Sequence, residues 1–500
     1  MKKYIYCMTN MPHWFDVSIE LHNKGIATPV LWLGDDVHYQ KAKNVFGDAV
    51  VRMLHFVHRP WKIQNVKYSG ELHDFFESEN YYRAKDICMK MLDRLDLYGS
   101  FTRLDRESYI HKLSIWMLKR IADTAPDAMV VAEMPHSHAQ YLLYEIALFC
   151  KLNIARFNSV VHVPALYMED MVSGRIIENN FQTSDGARKK FNKKITSNIN
   201  LIYSSFKKDS TYSPSYMIKL QEREKIKNKI VRMLTSGLSD SLKDFKHNIG
   251  MRLRCEYSPI NPYRFGIYSR NVSKKLRRKN LYSAYKKVCV GIQEVGNYVY
   301  FPLHFEPERT TNPDGGRYHD QLLVILELRK ILPNDVMIVV KEHPSQFYSA
   351  GKGYRGRSAL FYDLLKNISG VFLAGVDEDS MRLTRGAKFV ATVTGSVAIE
   401  AAVIGKQAVV FGNAWYLGCP NVHRYTPGAF SYDDILSSRS FQMDDVLSYL
   451  IGFVEKNCVP GYLNSSNEKY HSSFQSKEFY DEAHKGIYCR LEYYFNSYIA

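Results

Sequence analysis

Apolar positions along the chain follow two periods. Short apolar runs recur, and each is followed by a stretch whose apolar residues return every three or four positions, the pattern of strands alternating with helices. The first sixty residues predict a strand at 4–8, an amphipathic helix over 14–23 stopped by Gly25, and a strand at 29–34. A helix-rich segment follows over about 81–122, then a buried strand at 128–132 that runs into Glu133-Met134-Pro135-His136, and a helix over 139–152. A second series starts near Asn297, with strands at 298–303, 336–340, 370–374, 387–392 and 407–411 and helices over 320–331, 360–367, 377–385 and 397–404. Consecutive strand–helix units of this kind predict doubly wound α/β sheets. The tail from about Val446 reads as mainly helical and long enough to cross back over another domain.

Composition narrows the class. With 500 residues, 46% hydrophobic and 24% charged, the chain has room for two or three domains, and no apolar run reaches the roughly 18 residues of a spanning helix. Collagenous, disordered and polytopic membrane classes are excluded. Asn10, His13 and Asp16 interrupt the basic N-terminus before an apolar stretch forms, so no secretory signal is read and a cytoplasmic protein is expected. Eight cysteines without a CxxC pair or a Cys/His cluster are expected to be reduced thiols, and no metal site is expected.

The formal charge of +16 is concentrated in one place, since residues 188–287 hold 26 Lys and Arg against 6 Asp and Glu. Three readings stand open for this basic, helix-rich insertion: a solvated face, a patch for anionic lipid heads or an acidic polysaccharide, and a nucleic-acid surface. No motif supports nucleic acid. The expected organisation is an N-terminal domain over 1–185, the basic insertion over 186–290, a second α/β domain over 291–445 and C-terminal helices over 446–500.

Ligands of open α/β sheets collect beyond the carboxyl ends of strands, which directs attention to the residues that follow each apolar run. Glu133, His136 and His138 follow one such strand. In Lys341-Glu342-His343-Pro344, the proline fixes the backbone and places an imidazole to donate to a phosphate, more strongly when protonated. Lys341 and Glu342 read either as an ion pair at the sheet end or as a second phosphate contact. The turn Thr394-Gly395-Ser396 opens a helix, where free N–H groups and two hydroxyls suit an anion; the alternative is Ser396 as a simple N-cap. Glu400, one turn on, suits a ribose hydroxyl or the helix dipole. His304, Glu306 and Glu308 lie on a polar loop with two prolines that reads as a ligand clamp or as an ordinary surface loop. Gly34-Asp35-Asp36 and Asp377-Glu378-Asp379 read as a strand-end turn and a helix start, not as metal ligands. No GxSxG or Walker pattern occurs.

Taken together, Tyr300-Phe301-Pro302-Leu303-His304 with Glu306-Pro307-Glu308, Lys341-Glu342-His343-Pro344 and Thr394-Gly395-Ser396-Val397-Ala398-Ile399-Glu400 resemble the bacterial capsule polysaccharide biosynthesis proteins, which include capsule Kdo transferases. The resemblance implies two Rossmann-like domains facing each other in the GT-B manner, and a metal-independent glycosyltransferase with no cofactor beyond its nucleotide-sugar co-substrate. It also implies an oligosaccharide or lipid-linked glycan acceptor. On that likeness His343, Thr394 and Ser396 would hold the donor's phosphate, and His304, Glu306, Lys341, Pro344, Gly395 and Glu400, beside them in the same segments, are the further candidates for donor binding. From its place at the end of a first-domain strand, Glu133, with His136, is the candidate to serve the acceptor hydroxyl. A polyol-phosphate transferase of the teichoic-acid type and a non-catalytic assembly protein on an anionic membrane surface, peripheral to its inner face, are the alternatives. No nucleic-acid partner is expected.

Overall fold

The computed structural model describes residues 1–7, 11–34, 36–52, 56, 63, 65–67, 70–95, 101–160, 163–177, 185–204, 245–246, 249, 267–307, 311–348, 352–464, 468 and 474–499. Asp35, Lys207, Lys208, Glu308 and most of the basic insertion lie outside them. The described residues divide into two compact units, one drawn from Met1–Asn198 and Gly452–Ala500, the other centred on Arg264–Ile451.

Among the described residues the first unit is built on six strands: β1 (Lys2–Cys7), β2 (Ala27–Trp32), β3 (Ala128–Val131), β4 (Asn153–Ser159), β5 (Ala165–Asp170) and, late in the chain, a strand at Cys458–Pro460. From one edge the order is Cys458–Pro460, β5, β4, β3, β1, β2. The pairs β1–β2, β1–β3 and β3–β4 are parallel, whereas β5 is antiparallel to both of its neighbours. Ile5, Cys7, Met129 and Val131 point to a core shared with the helices Glu79–Leu95, Arg103–Thr124 and His138–Phe149. Tyr4 points to the other face, where its ring lies 5.1 Å from Phe495 near the C-terminus. This alternation is the period-two side-chain rule applied to a strand buried on both faces. Thr102 opens the helix Arg103–Thr124 with a capping box: its hydroxyl accepts the Asp105 N–H at 3.1 Å, and the Asp105 carboxylate accepts the Thr102 N–H at 2.8 Å.

Among the described residues the second unit has seven strands, all parallel: β6 (Cys289–Val290), β7 (Tyr298–Pro302), β8 (Met337–Lys341), β9 (Val371–Ala374), β10 (Val390–Thr392), β11 (Ala408–Val410) and β12 (Val422–Arg424), in the order β12-β11-β10-β7-β8-β9-β6. Val299, Tyr300, Phe301, Ile338, Val339 and Val340 are fully buried. Such continuous apolar runs are what a sheet covered by helices on both faces requires. Burial on this scale contributes roughly 1.5–3 kcal/mol for each large aliphatic side chain. The α/β class with two parallel-based sheets is therefore the observed one. In the insertion, the described helices are Asp185–Ser204 and Ile267–Val288. Among the described residues no helix is long and apolar enough to cross a membrane.

Candidate functional site

In the second unit the chain runs from β7 to β8 and β9 in one direction across the sheet, and through β10, β11 and β12 in the other. The carboxyl ends of β7 and β10 thus flank a topological switch point, where adjacent loops part and leave room for a ligand. His304 follows β7 and Thr392 ends β10. His304 Nε2 lies 3.0 Å from the Thr392 hydroxyl and accepts the Val393 N–H at 3.2 Å. A ring nitrogen that accepts an N–H carries no proton, so the neutral His304 is protonated at Nδ1. The Gly395 N–H donates to the same Thr392 hydroxyl at 3.1 Å, and Tyr416 holds the Gly395 carbonyl at 2.5 Å. A Cβ on Gly395 would lie 2.7 Å from that hydroxyl and 3.2 Å from the His304 ring.

His343 follows β8 and caps the 3-10 turn Pro344–Phe347, with Pro344 in the first-turn position where a missing N–H costs nothing. Its Nδ1 accepts the Ser345 N–H at 3.2 Å, which leaves the proton on Nε2. Burial, then the neighbouring Lys341 and Arg357, push the imidazole down to about 4; for His304, burial, then His343 and Arg357, push it to about 3. Both rings are therefore neutral near pH 7. The rings offer two neutral donors, the Nδ1–H of His304 and the Nε2–H of His343, and neither has an acceptor among the described residues. Beside Gly395, the buried Oγ1 of Thr394 also has no partner there.

A buried ion pair braces the two histidines. The Arg357 guanidinium meets Glu342 with Nε 2.9 Å from Oε2, the side chains being 5% and 0% exposed. The other Glu342 oxygen accepts the His343 N–H at 2.8 Å, while Arg357 Nη2 donates to the His304 carbonyl at 2.9 Å. Tyr362 donates to Glu342 at 2.8 Å, and the Glu342 N–H donates to the Tyr285 hydroxyl at 2.9 Å. This corrects the reading of Lys341 and Glu342 as a pair. Lys341 is buried and donates to the Ser380 hydroxyl at 2.9 Å, its amine pushed down by burial against the pull of Asp379, Asp377 and Glu378.

Other expected contacts turn inward. Glu306 is buried, its carboxylate accepting from Gln321 at 3.1 Å and Thr311 at 3.3 Å, so it holds the loop rather than facing outward. Ser396 is exposed and makes no capping bond to the helix Val397–Val403; its hydroxyl donates to Glu400 Oε1 at 2.9 Å. Burial raises the Glu400 carboxyl, with Ser396 opposing. Asp379 caps the helix Ser380–Gly386 by accepting the Arg382 N–H at 2.6 Å. Sequence reasoning missed Arg357, Tyr285, Tyr362 and Thr392. The available signal for Arg357 was the glycine before it, since a Cβ on Gly356 would lie 2.3 Å from the Glu306 backbone.

The first unit has its own switch point between β1 and β3, and Glu133 and His136 follow β3. His136 Nε2 is 3.0 Å from Glu133 Oε1, with the side chains 22% and 24% exposed. Asn464 reaches the other Glu133 oxygen at 3.4 Å, and Arg94 fixes the His136 carbonyl at 2.5 Å. An imidazole oriented by a carboxylate and still open to solvent is equipped to accept a proton from a hydroxyl. His138 is fully buried, with Nε2 3.2 Å from the Phe56 carbonyl, and is a core histidine. No cluster of three or more His, Cys, Asp or Glu suited to a metal occurs among the described residues.

Residues 256–419 match the family model described as capsule polysaccharide biosynthesis protein. The match covers most of the second unit's sheet, including every residue of the His304–His343–Thr394 cluster, so the capsule-family resemblance holds over that segment. No curated protein matches the chain. Among solved structures, a β-Kdo 2,7-transferase, KpsC of Thermosulfurimonas dismutans, aligns at 9% identity over 70% of this chain and 87% of its own, with a TM-score of 0.27. The UDP-GlcNAc 2-epimerase of Methanocaldococcus jannaschii aligns at 14% identity over 91% and 99%, with a TM-score of 0.23. Overlaps this loose carry no function across.

Proposed function

We propose that the protein is a glycosyltransferase that moves a sugar from a nucleotide-activated donor to a growing cell-surface polysaccharide. The observation that carries the reading is the pair of neutral imidazoles at the second unit's switch point, each locked in one tautomer by a backbone N–H and each presenting its remaining N–H. In this reading those two donors and the Thr394 hydroxyl take the donor's phosphate oxygens. They bind more strongly as negative charge collects there during departure of the nucleotide, which is the differential stabilisation that catalysis needs. The Glu133–His136 pair takes the proton of the acceptor hydroxyl.

The test is a thermal-shift panel of CMP, CDP, UDP, UMP, GDP and their common sugar conjugates on purified protein. A ligand at a hundredfold excess over Kd adds about 2.7 kcal/mol, or roughly 5–11 °C for a unit of this size. One nucleotide class is expected to give that shift, and His304→Ala and His343→Ala to abolish it. No shift with any member, or an undiminished shift in both variants, overturns the phosphate assignment.

A further inference from the structure

The helix Ile267–Val288 holds eight Lys and Arg and no Asp or Glu. Its inward stripe is ordinary: Leu281 and Tyr285 are buried, and Tyr285 packs its ring 4.9 Å from Tyr362 on the neighbouring helix Ala359–Lys366. A second stripe, about a quarter turn round the helix from Tyr285 and bordered by Phe347, whose ring lies 5.2 Å from that of Tyr282, is not. Lys275, Lys279, Tyr282 and Lys286 recur at i, i+4, i+7 and i+11 and all are exposed, with Leu276 and Lys287 exposed on the flank. None of these lysines forms an ion pair with a described residue. On the helix packed alongside, Leu360 and Leu364 are 73% and 54% exposed one turn apart, beside the exposed Lys366 and a single acid, Asp363.

We propose that this two-helix face is a peripheral docking surface for an anionic lipid bilayer. Unpaired lysines on a helix meet the negative potential of acidic headgroups, and each contributes about a fivefold gain in partitioning near such a surface. The exposed leucines decide between lipid and nucleic acid. A polyanionic backbone recruits cations and stacking aromatics, but only the headgroup–acyl boundary also takes up aliphatic side chains. Leu276, Leu360 and Leu364, with the amphipathic Tyr282, suit that boundary. The proposal is independent of the chemistry assigned above and accounts for part of the charge excess that the switch-point sites leave unused.

The experiment is vesicle flotation of the full chain with phosphatidylcholine alone and with 30% phosphatidylglycerol. The wild type is expected to float with the anionic vesicles only and to be released by 0.5 M salt. Lys275→Glu/Lys279→Glu/Lys286→Glu should weaken partitioning at least about a hundredfold. Leu360→Ser/Leu364→Ser should weaken it about tenfold, a loss not reproduced by salt. A matched reversal elsewhere, Lys41→Glu/Lys151→Glu/Lys477→Glu, alters net charge equally and is expected to retain binding to within a few fold. An equal loss in that control attributes binding to net charge and overturns the proposal. So does failure of the wild type to float with anionic vesicles, including the case in which it retains a labelled oligonucleotide instead.

Discussion

Replacing Glu342 by Gln isolates the brace beneath the two histidines. Glu342 is 1% exposed and accepts from Arg357, Tyr362 and the His343 N–H, three donors converging on one carboxylate. The amide is nearly isosteric, so it opens no cavity, but it removes the charge and turns an NH2 donor toward groups that are themselves donors. Arg357 is then left as a buried cation without its carboxylate. Breaking a buried pair on one side costs about 3–5 kcal/mol, most of it the desolvation of the partner left behind. For a unit of roughly 200 residues this lowers Tm by about 6–20 °C. Two units need not melt together, so scanning calorimetry is the suitable assay: one transition should fall while the other stays. Nucleotide binding should weaken in parallel, because the His304 carbonyl and the His343 N–H share the same brace. A loss below about 1 kcal/mol would mean that water reaches the pair, and would refute the argument that it positions the imidazoles.

Other outcomes follow from neighbouring geometry. Gly395→Ala puts a methyl 2.7 Å from the Thr392 hydroxyl and should destabilise the second unit by about 1–3 kcal/mol while displacing His304; an unchanged melt and unchanged histidine NMR shifts would show that the turn relaxes freely. Burial holds His13 and His343 at about 4 and His304 at about 3, against roughly 6.5 when unfolded. Between pH 6.5 and 4 the unfolded chain therefore binds protons that the folded chain does not. Stability is complete above pH 6.5 and falls by up to about 1.4 kcal/mol per pH unit for each histidine as acid is added. A Tm constant from pH 7 to 4.5 would contradict this. Because both site imidazoles stay neutral between pH 7.5 and 6, affinity for a sugar nucleotide should change little over that range; a marked gain on acidification in calorimetric titration would show that a protonated ring binds the phosphate. Glu133→Gln is expected to keep nucleotide binding and lower turnover, and unchanged turnover would remove it from the mechanism.

What the sequence made legible was local. The strand predicted at 298–303 is observed at Tyr298–Pro302, that at 128–132 at Ala128–Val131, and the helix over 320–331 at Gln321–Ile331 with Asp320 as its cap, because apolar runs and caps are properties of adjacent residues. β4 and β5 escaped notice for the opposite reason. Asn153, Arg156 and Asn158 make β4 look polar, yet Arg156 is buried against Glu169, its cross-strand partner on β5, with Nε 2.6 Å from the carboxylate. A charge that is neutralised across a sheet reads as surface until its partner is known.

The same logic separates the parts of the candidate site that could be read from those that could not. His304, His343 and Thr394 follow apolar strands, so strand ends alone brought them forward. The order of the strands is long-range information, and it is the order that turns three strand ends into one switch point. The protonation of the histidines depends on it too. A lone histidine at a strand end suggests a cation for phosphate, but Val393 and Ser345 supply N–H groups that claim one ring nitrogen each, and Arg357 and Lys341 add positive charge nearby. The site binds an anion in this reading through fixed neutral N–H donors, with the permanent charge set one layer behind in Arg357. That arrangement predicts that His343→Lys, which adds a cation but loses the locked geometry, fails to restore the nucleotide binding lost in His343→Ala, whereas a site governed by charge alone would recover it.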